Sequence, residues 1–261
     1  MTKLIFALSL SVPLALPLAL QAQSGITVYA DSAANATALQ PTVAKFRADL
    51  GELNPNEARS FSAGRREINW DGVGGIQGNN NPPGDFFNSI FPRGLLMSTP
   101  GTRPKVSGDS STDSFLMKDV TRDQWGLIEF APFSGDKFFA SMGNPVTDIE
   151  FRIPGTSQVA CVAASGAVFM DVDRGGQSFI EFNLSDGSVR RFNAPLTAAR
   201  SKGLSFLGAR FTDLCILSIR IQAGDRPVDN PDIPVPFPDG VALDDFIYAE
   251  PKLLPASVGR Y

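Results

Sequence analysis

The sequence predicts an all-β protein: an antiparallel, jelly-roll-like two-sheet β-sandwich carrying one short N-terminal helix. Three observations predict it. Beyond about residue 60 the apolar residues fall in short runs, several of them with a period near two. Turn pairs such as Asp71-Gly72, Gly175-Gly176 and Asp186-Gly187 punctuate those runs. The chain also spends 24 glycines and 20 prolines, which implies many turns between short strands. After processing, about 240 residues suffice for a single domain, placed here at residues 38–250.

Residues 1–22 have the form of a secretory signal peptide. Lys3 gives a short positive start, Leu4 to Leu20 is apolar apart from two serines and two prolines, and Leu20-Gln21-Ala22 offers a small residue for cleavage. Pro13 and Pro17 break a run already too short for a good spanning helix, and no cysteine follows it for lipid attachment. Residues 23–37, small and polar, form a flexible leader. A helix is predicted over residues 38–50, with Val43, Phe46 and Leu50 on one face, Gly51 at the C′ position and Pro41 tolerated in the first turn.

Arg65 to Trp70 is the first strand candidate, ended by Asp71-Gly72. Gly78 to Gly84 is a loop, Gly94 to Thr99 a strand ended by Pro100-Gly101, and residues 107–114 a polar loop. Leu127 to Phe130 and Lys137 to Ala140 are short apolar patches about a turn. The C-terminal half is a clearer series: Asp148–Ile153, Ala167–Val172, Ser178–Leu184, Ser188–Phe192, Leu204–Phe211, Ile216–Gln222 and Val241–Tyr248. Asp186-Gly187 marks a hairpin. Asp225 to Asp239 holds five prolines and four aspartates, so it is an extended surface loop. That loop is either an inert connection or a rigid acidic lip. Residues 251–261 form a C-terminal tail.

Composition excludes several chemistries. The chain has no histidine, which removes Ser-His-Asp and Cys-His catalysis, His-ligated zinc and His proton shuttling. Lys3 leaves with the signal peptide, so 23 basic residues become 22 against 27 acidic, a net charge of −5. Such a protein is not built to hold phosphate backbones, and nucleic acid is no expected partner. Cys161 and Cys215 are the only cysteines, and in an exported chain they are expected to pair. The bond would close a loop of about 55 residues and contribute roughly 4 kcal/mol.

Two stretches could carry chemistry. In Val241 to Tyr248, Asp244 and Asp245 are adjacent, and in a regular strand they point to opposite faces. An inward carboxylate needs a partner. With Asp171 and Asp173, read as sharing one strand face, Asp244 and Asp245 could form the oxygen cage of a structural calcium ion. Ion pairing to Arg174, Arg190, Arg191 or Arg220 would serve equally. The other stretch, Arg65 to Gly72, alternates so that Arg65, Glu67, Asn69 and Asp71 share one face, with Arg66, Ile68 and Trp70 on the other. Arg65, Glu67, Asn69, Trp70 and Asp71 could bind a sugar, or the stretch could be a salt-bridge ladder with Trp70 in the core.

The Val241–Tyr248 motif resembles the last strand of galactose-binding-like and carbohydrate-binding jelly-roll modules, in many of which an acidic residue at this place supports a structural calcium. Together with Arg65 to Val73 and Ser98 to Thr102, the chain also resembles uncharacterised exported bacterial proteins. Many of those end in a hydrophobic sorting tail; Pro255 to Tyr261 has none, which implies release from the cell. The expectation is a secreted (or periplasmic), non-catalytic module that binds polysaccharide or cell-surface glycan, with a structural calcium and no membrane span after processing; exposed Tyr29, Trp70 or Trp125 in a groove would favour it. The alternatives are a structural matrix protein meeting other proteins and a carboxylate glycosidase. The latter needs two carboxyl groups flanking one bond, about 5–5.5 Å apart in a retaining enzyme.

Overall fold

The eight residues Ile26–Ala33 form strand β1, within the stretch expected to be a loose leader. They pair antiparallel, residue for residue, with Leu204–Phe211 (β11), which ties the start of the domain into a sheet. The computed structural model describes residues 25–73, 82–107, 130–198, 202–229 and 239–254. The signal peptide, the C-terminal tail beyond residue 254, Trp125, most of the 78–84 and 107–114 loops, and the prolines from Pro231 to Pro238 lie outside the described residues.

Helix α1 (Ala36–Leu50) starts two residues earlier than its apolar spacing suggests. Asn35 sets the start, since its side chain accepts a hydrogen bond from the Ala38 amide at 3.0 Å. Pro41 therefore lies in the second turn, where it forfeits one intrahelical hydrogen bond. Leu39, Val43 and Phe46 are the buried face, and Gly51 ends the helix at φ 92°. Phe46 meets Tyr29 and Phe206 at ring-centroid distances of 4.9 and 5.2 Å. That close approach depends on Gly166 and Gly208, which face each other across two strands: a Cβ on Gly166 would lie 2.8 Å from the Gly208 Cα.

The remaining strands are β2 (Arg65–Ile68), β3 (Leu95–Ser98), β4 (Arg103–Val106), β5 (Phe139–Met142), β6 (Val146–Phe151), β7 (Ala160–Cys161), β8 (Ala164–Met170), β9 (Phe179–Leu184), β10 (Val189–Asn193), β12 (Ile216–Gln222), β13 (Ala242–Ala249) and β14 (Lys252–Leu253). A five-residue π-helical turn, Phe86–Ile90, precedes β3. One sheet runs β1-β11-β8-β13-β5-β4, with β2 also on β13; the other runs β10-β9-β12-β6-β3. All the pairings are antiparallel, so the chain is an all-β two-sheet sandwich. Phe182 against Phe211, and Phe151 against Tyr248, join the sheets at ring distances of 5.6 and 5.5 Å.

The two sheets differ in what covers them. Strands β8 and β13 are buried at every residue, because α1 covers one face of the larger sheet and the smaller sheet the other. Strand β9 alternates half-exposed and buried, so the smaller sheet keeps one open face. Cys161 and Cys215 are disulfide-bonded, with Cα atoms 5.6 Å apart, pinning β7 to the start of β12. Among the described residues no helix is long and apolar enough to cross a membrane.

Candidate functional site

The two polar stretches singled out in the sequence meet at one place, the far edge of β13. Its first half pairs with β5 through Leu243–Phe139, and its second half pairs with β2 from Phe246 to Ala249. At the changeover the register on β8 slips by one residue, since Asp244 faces Val168 and Phe246 faces Ala167. Asp245 is the extra residue of this bulge, at φ 26°. The bulge overturns the expectation that Asp244 and Asp245 point apart, for both carboxylates turn towards Ser134. The Phe133 and Ser134 amides donate to Asp244 Oδ2 at 2.7 and 3.2 Å, and Ser134 Oγ donates to Asp245 Oδ1 at 2.5 Å.

The cation that reaches Asp245 comes from the helix rather than from Arg174, Arg190, Arg191 or Arg220. Arg47 Nη2 lies 2.8 Å from Asp245 Oδ2 and 2.8 Å from Glu67 Oε2, and Arg65 Nε completes the chain at 2.5 Å from Glu67 Oε1. Burial pushes the Asp244 carboxyl well above the carboxylate range, and the neighbouring Asp245 charge adds to it. Burial raises Asp245 as well, against the pull of Ser134 and Arg47. Asp71 lies beside this network, its Oδ1 accepting from the Asp136 and Lys137 amides at 2.9 and 3.1 Å. Gly135, at φ 57°, is required there, because a Cβ would fall 1.7 Å from Asp71 Oδ2.

The alternation over Arg65–Ile68 holds, with Arg66 and Ile68 buried. Arg66 forms a buried ion pair with Glu250, at 2.6 Å from Nε and 2.9 Å from Nη2. Trp70 is 1 % exposed and Tyr29 6 %, so neither offers a ring face to a sugar. Both serve the core instead, since Trp70 stacks on Phe139 at 4.5 Å and Tyr29 meets Phe46 edge-on. Asn69 is exposed beside Trp70.

Asp171 and Asp173 lie at a separate place. Strand β8 ends at Met170 and Asp171 adopts φ 66°, so the two do not share a strand face as expected. This end of the molecule is a backbone knot around Asp239, whose carboxylate accepts from the Asp173 and Arg174 amides, each at 3.2 Å. Asp225 Oδ1 accepts from the Asp239 amide at 2.9 Å, and Arg174 is ion-paired to Asp225. Burial raises the Asp239 pKa from 3.8 to about 7. Among the described residues no three metal-ligating side chains come together as a cation site.

A further array of polar groups faces solvent across several strands at once. It is the open face of the smaller sheet, where strand register sets side chains in rows. One row runs Arg191, Glu181, Arg220, Asp148, Ser98 across all five strands. A flanking row runs Val189, Asn183, Ser218, Glu150, Leu96, and another Asn193, Phe179, Gln222, Val146. Arg220 grips Asp148 with two bonds of 2.7 and 3.0 Å while staying half exposed. Asn183 Nδ2 donates to Ser218 Oγ at 3.0 Å, and the Arg191 guanidinium lies 3.4 Å from the centre of the Phe179 ring. The period-two alternation of β9, β10, β12 and β6 was the signal that could have found the face. The order of those strands was not in the sequence. Comparison with models of protein families, with curated proteins and with solved structures gave no match.

Proposed function

We propose that this protein is a secreted, non-catalytic module that binds a glycan or cell-surface polymer on the open face of its smaller sheet. One observation carries the proposal: the cross-strand rows of guanidinium, carboxylate and amide groups centred on Arg220. Planar groups of this kind make paired hydrogen bonds to neighbouring hydroxyls, and the sheet holds them at fixed spacing without loop ordering. The Arg191 guanidinium over Phe179 adds a flat, weakly hydrated surface. Export is consistent with the Cys161–Cys215 disulfide, which an oxidising compartment favours.

Binding fits this face better than hydrolysis does. Arg220 takes both oxygens of Asp148, and Arg191 approaches Glu181, so these carboxylates are committed to cations rather than poised as acid and nucleophile. The test is retention of the mature protein in native gels cast with different soluble polysaccharides, run in calcium and in EDTA. Retardation in at least one polymer is expected, equally in both buffers, and Arg220→Ala should abolish it while leaving the melting temperature within a few degrees. No retardation in any polymer, or retardation indifferent to Arg220→Ala, would overturn the proposal.

A further inference from the structure

On the open face of the smaller sheet every cation is matched by a carboxylate. Arg220 pairs with Asp148 at 2.7 Å, Arg152 with Glu150 at 2.6 Å, and Arg191 approaches Glu181 at 3.9 Å. Among the described residues, the outward positions of the five strands hold no other Asp, Glu, Lys or Arg. The face is therefore neutral across its width, while the chain as a whole carries a formal net charge of −4.

That pairing selects against a charged polymer. To take the charge of Arg220, an anionic ligand must displace Asp148, which then stands beside it as like charge to like. The acidic chain around the face repels a polyanion rather than steering it in. Hydroxyl groups meet no such penalty, because each can donate to a carboxylate oxygen and accept from a guanidinium at the same time. Arg220 gives Nε and Nη2 to Asp148, which leaves Nη1 outside the pair.

The arrangement also sets a direction. Across the strands, Arg191, Glu181, Arg220, Asp148 and Ser98 follow one another, one polar side chain on each strand. Along four of those strands the polar run breaks at the next outward position, at Val189, Phe179, Val146 and Leu96. Phe179 lies under the Arg191 guanidinium, 3.4 Å from ring centre to cation, so its ring is covered on that side. Affinity must then be summed over successive hydroxyl contacts and grow with the length of the sugar chain. Neighbouring strands lie about 4.8 Å apart, so the row spans about 19 Å between its end Cα atoms, roughly four hexose units end to end.

We propose that the ligand of this face is an uncharged linear polysaccharide that crosses the strands along the Arg191–Ser98 row and is gripped over about four sugars. The inference rests on the glycan-binding reading above and names its substrate class.

The experiment sets the full mature chain against immobilised polymers in pairs that share a backbone. These are hydroxyethylcellulose with carboxymethylcellulose and dextran with dextran sulfate, joined by glucomannan and a mixed-linkage β-glucan. Binding is read in about 0.02 M and about 0.3 M sodium chloride. At least one neutral polymer should bind with a Kd that salt alters by less than about twofold, and both acidic polymers should bind at least about tenfold more weakly. Oligosaccharides of the bound polymer should gain affinity up to about four units and no further, and Arg191→Ala, at the end of the row, should stop the gain about one unit earlier. Binding confined to the acidic polymers and lost in high salt would overturn this inference while leaving a glycan-binding module. Affinity independent of length would overturn the crossing row. Binding to none of the polymers would overturn both this inference and the reading beneath it. A mass in sedimentation equilibrium that doubles with concentration, and no longer does so in Arg220→Ala, would overturn it in favour of a second copy of the chain on this face.

Discussion

Replacing Asp239 by asparagine should change how stability depends on pH. Asp239 closes the proline-rich loop: its carbonyl oxygen accepts from the Asp225 amide, and its own amide donates to Asp225 Oδ1, both at 2.9 Å. Two backbone donors at 3.2 Å favour the charged carboxylate. Burial opposes them and prevails, and the charges of Asp173 and Asp225 add to it, so the pKa rises from 3.8 to about 7. Between those values the folded chain holds a proton that the unfolded chain has released. The stabilisation is therefore complete below about pH 4 and is lost as pH rises through about 7. The displacement amounts to roughly 4 kcal/mol between the protonation states, an upper bound where the knot relaxes or admits water.

Asp239→Asn keeps one acceptor oxygen for the amides of Asp173 and Arg174 but has no proton to exchange. Urea denaturation of both proteins at several pH values reads the effect. The stability difference, variant minus wild type, should rise by up to about 4 kcal/mol from pH 4 to pH 7. Asp244 and Asp245 are displaced in the same direction, yet they are common to both proteins and cancel in the difference. Parallel curves would refute the reasoning. A difference that falls with pH would mean that the two amides, not burial, govern the carboxylate.

Asp245→Asn should cost about 1–3 kcal/mol by weakening the bonds to Arg47 and Ser134, and by the same amount in calcium and in EDTA; thermal melts in both buffers check this, and a loss confined to calcium would point to a cation at the bulge. Glu250→Gln leaves the Arg66 guanidinium buried without its counter-charge and should cost about 3–5 kcal/mol. The matched change in the exposed Arg59–Glu57 pair, Glu57→Gln, should stay within about 1 kcal/mol in the same denaturation assay.

How far each element could be read depended on where its information lay. Leu204–Phe211 and Ile216–Gln222 form strands over the residues their apolar runs marked, and the Asp186-Gly187 turn joins β9 to β10, with Gly187 at φ 81°. Those are local signals: side-chain alternation and a residue free to take positive φ. Strand β1 carries the strand formers Ile26, Thr27, Val28 and Tyr29, but it follows directly on a polar stretch, and its pairing with β11 along its whole length is what fixes it as a strand. The two-residue strands β7 and β14 are likewise created by their partners.

Among the candidate residues, spacing placed Arg66 and Ile68 inside and Arg65 and Glu67 outside, because a strand alternates whatever lies around it. It could not place Asp244 and Asp245 together, since that depends on a bulge at the point where β13 changes partner from β5 to β2. Nor could it give Arg47 as the cation between Glu67 and Asp245, a contact across 198 positions of chain. By itself the sequence determined the sandwich class, the pairing of its two cysteines and the absence of histidine. These follow from composition and from period. Tertiary structure alone decided which polar rows share the open face, which aspartates are buried, and which aromatic rings Trp70 packs against in the core. Each of those depends on residues far apart in sequence coming within a few ångströms, and no local preference of the chain encodes that.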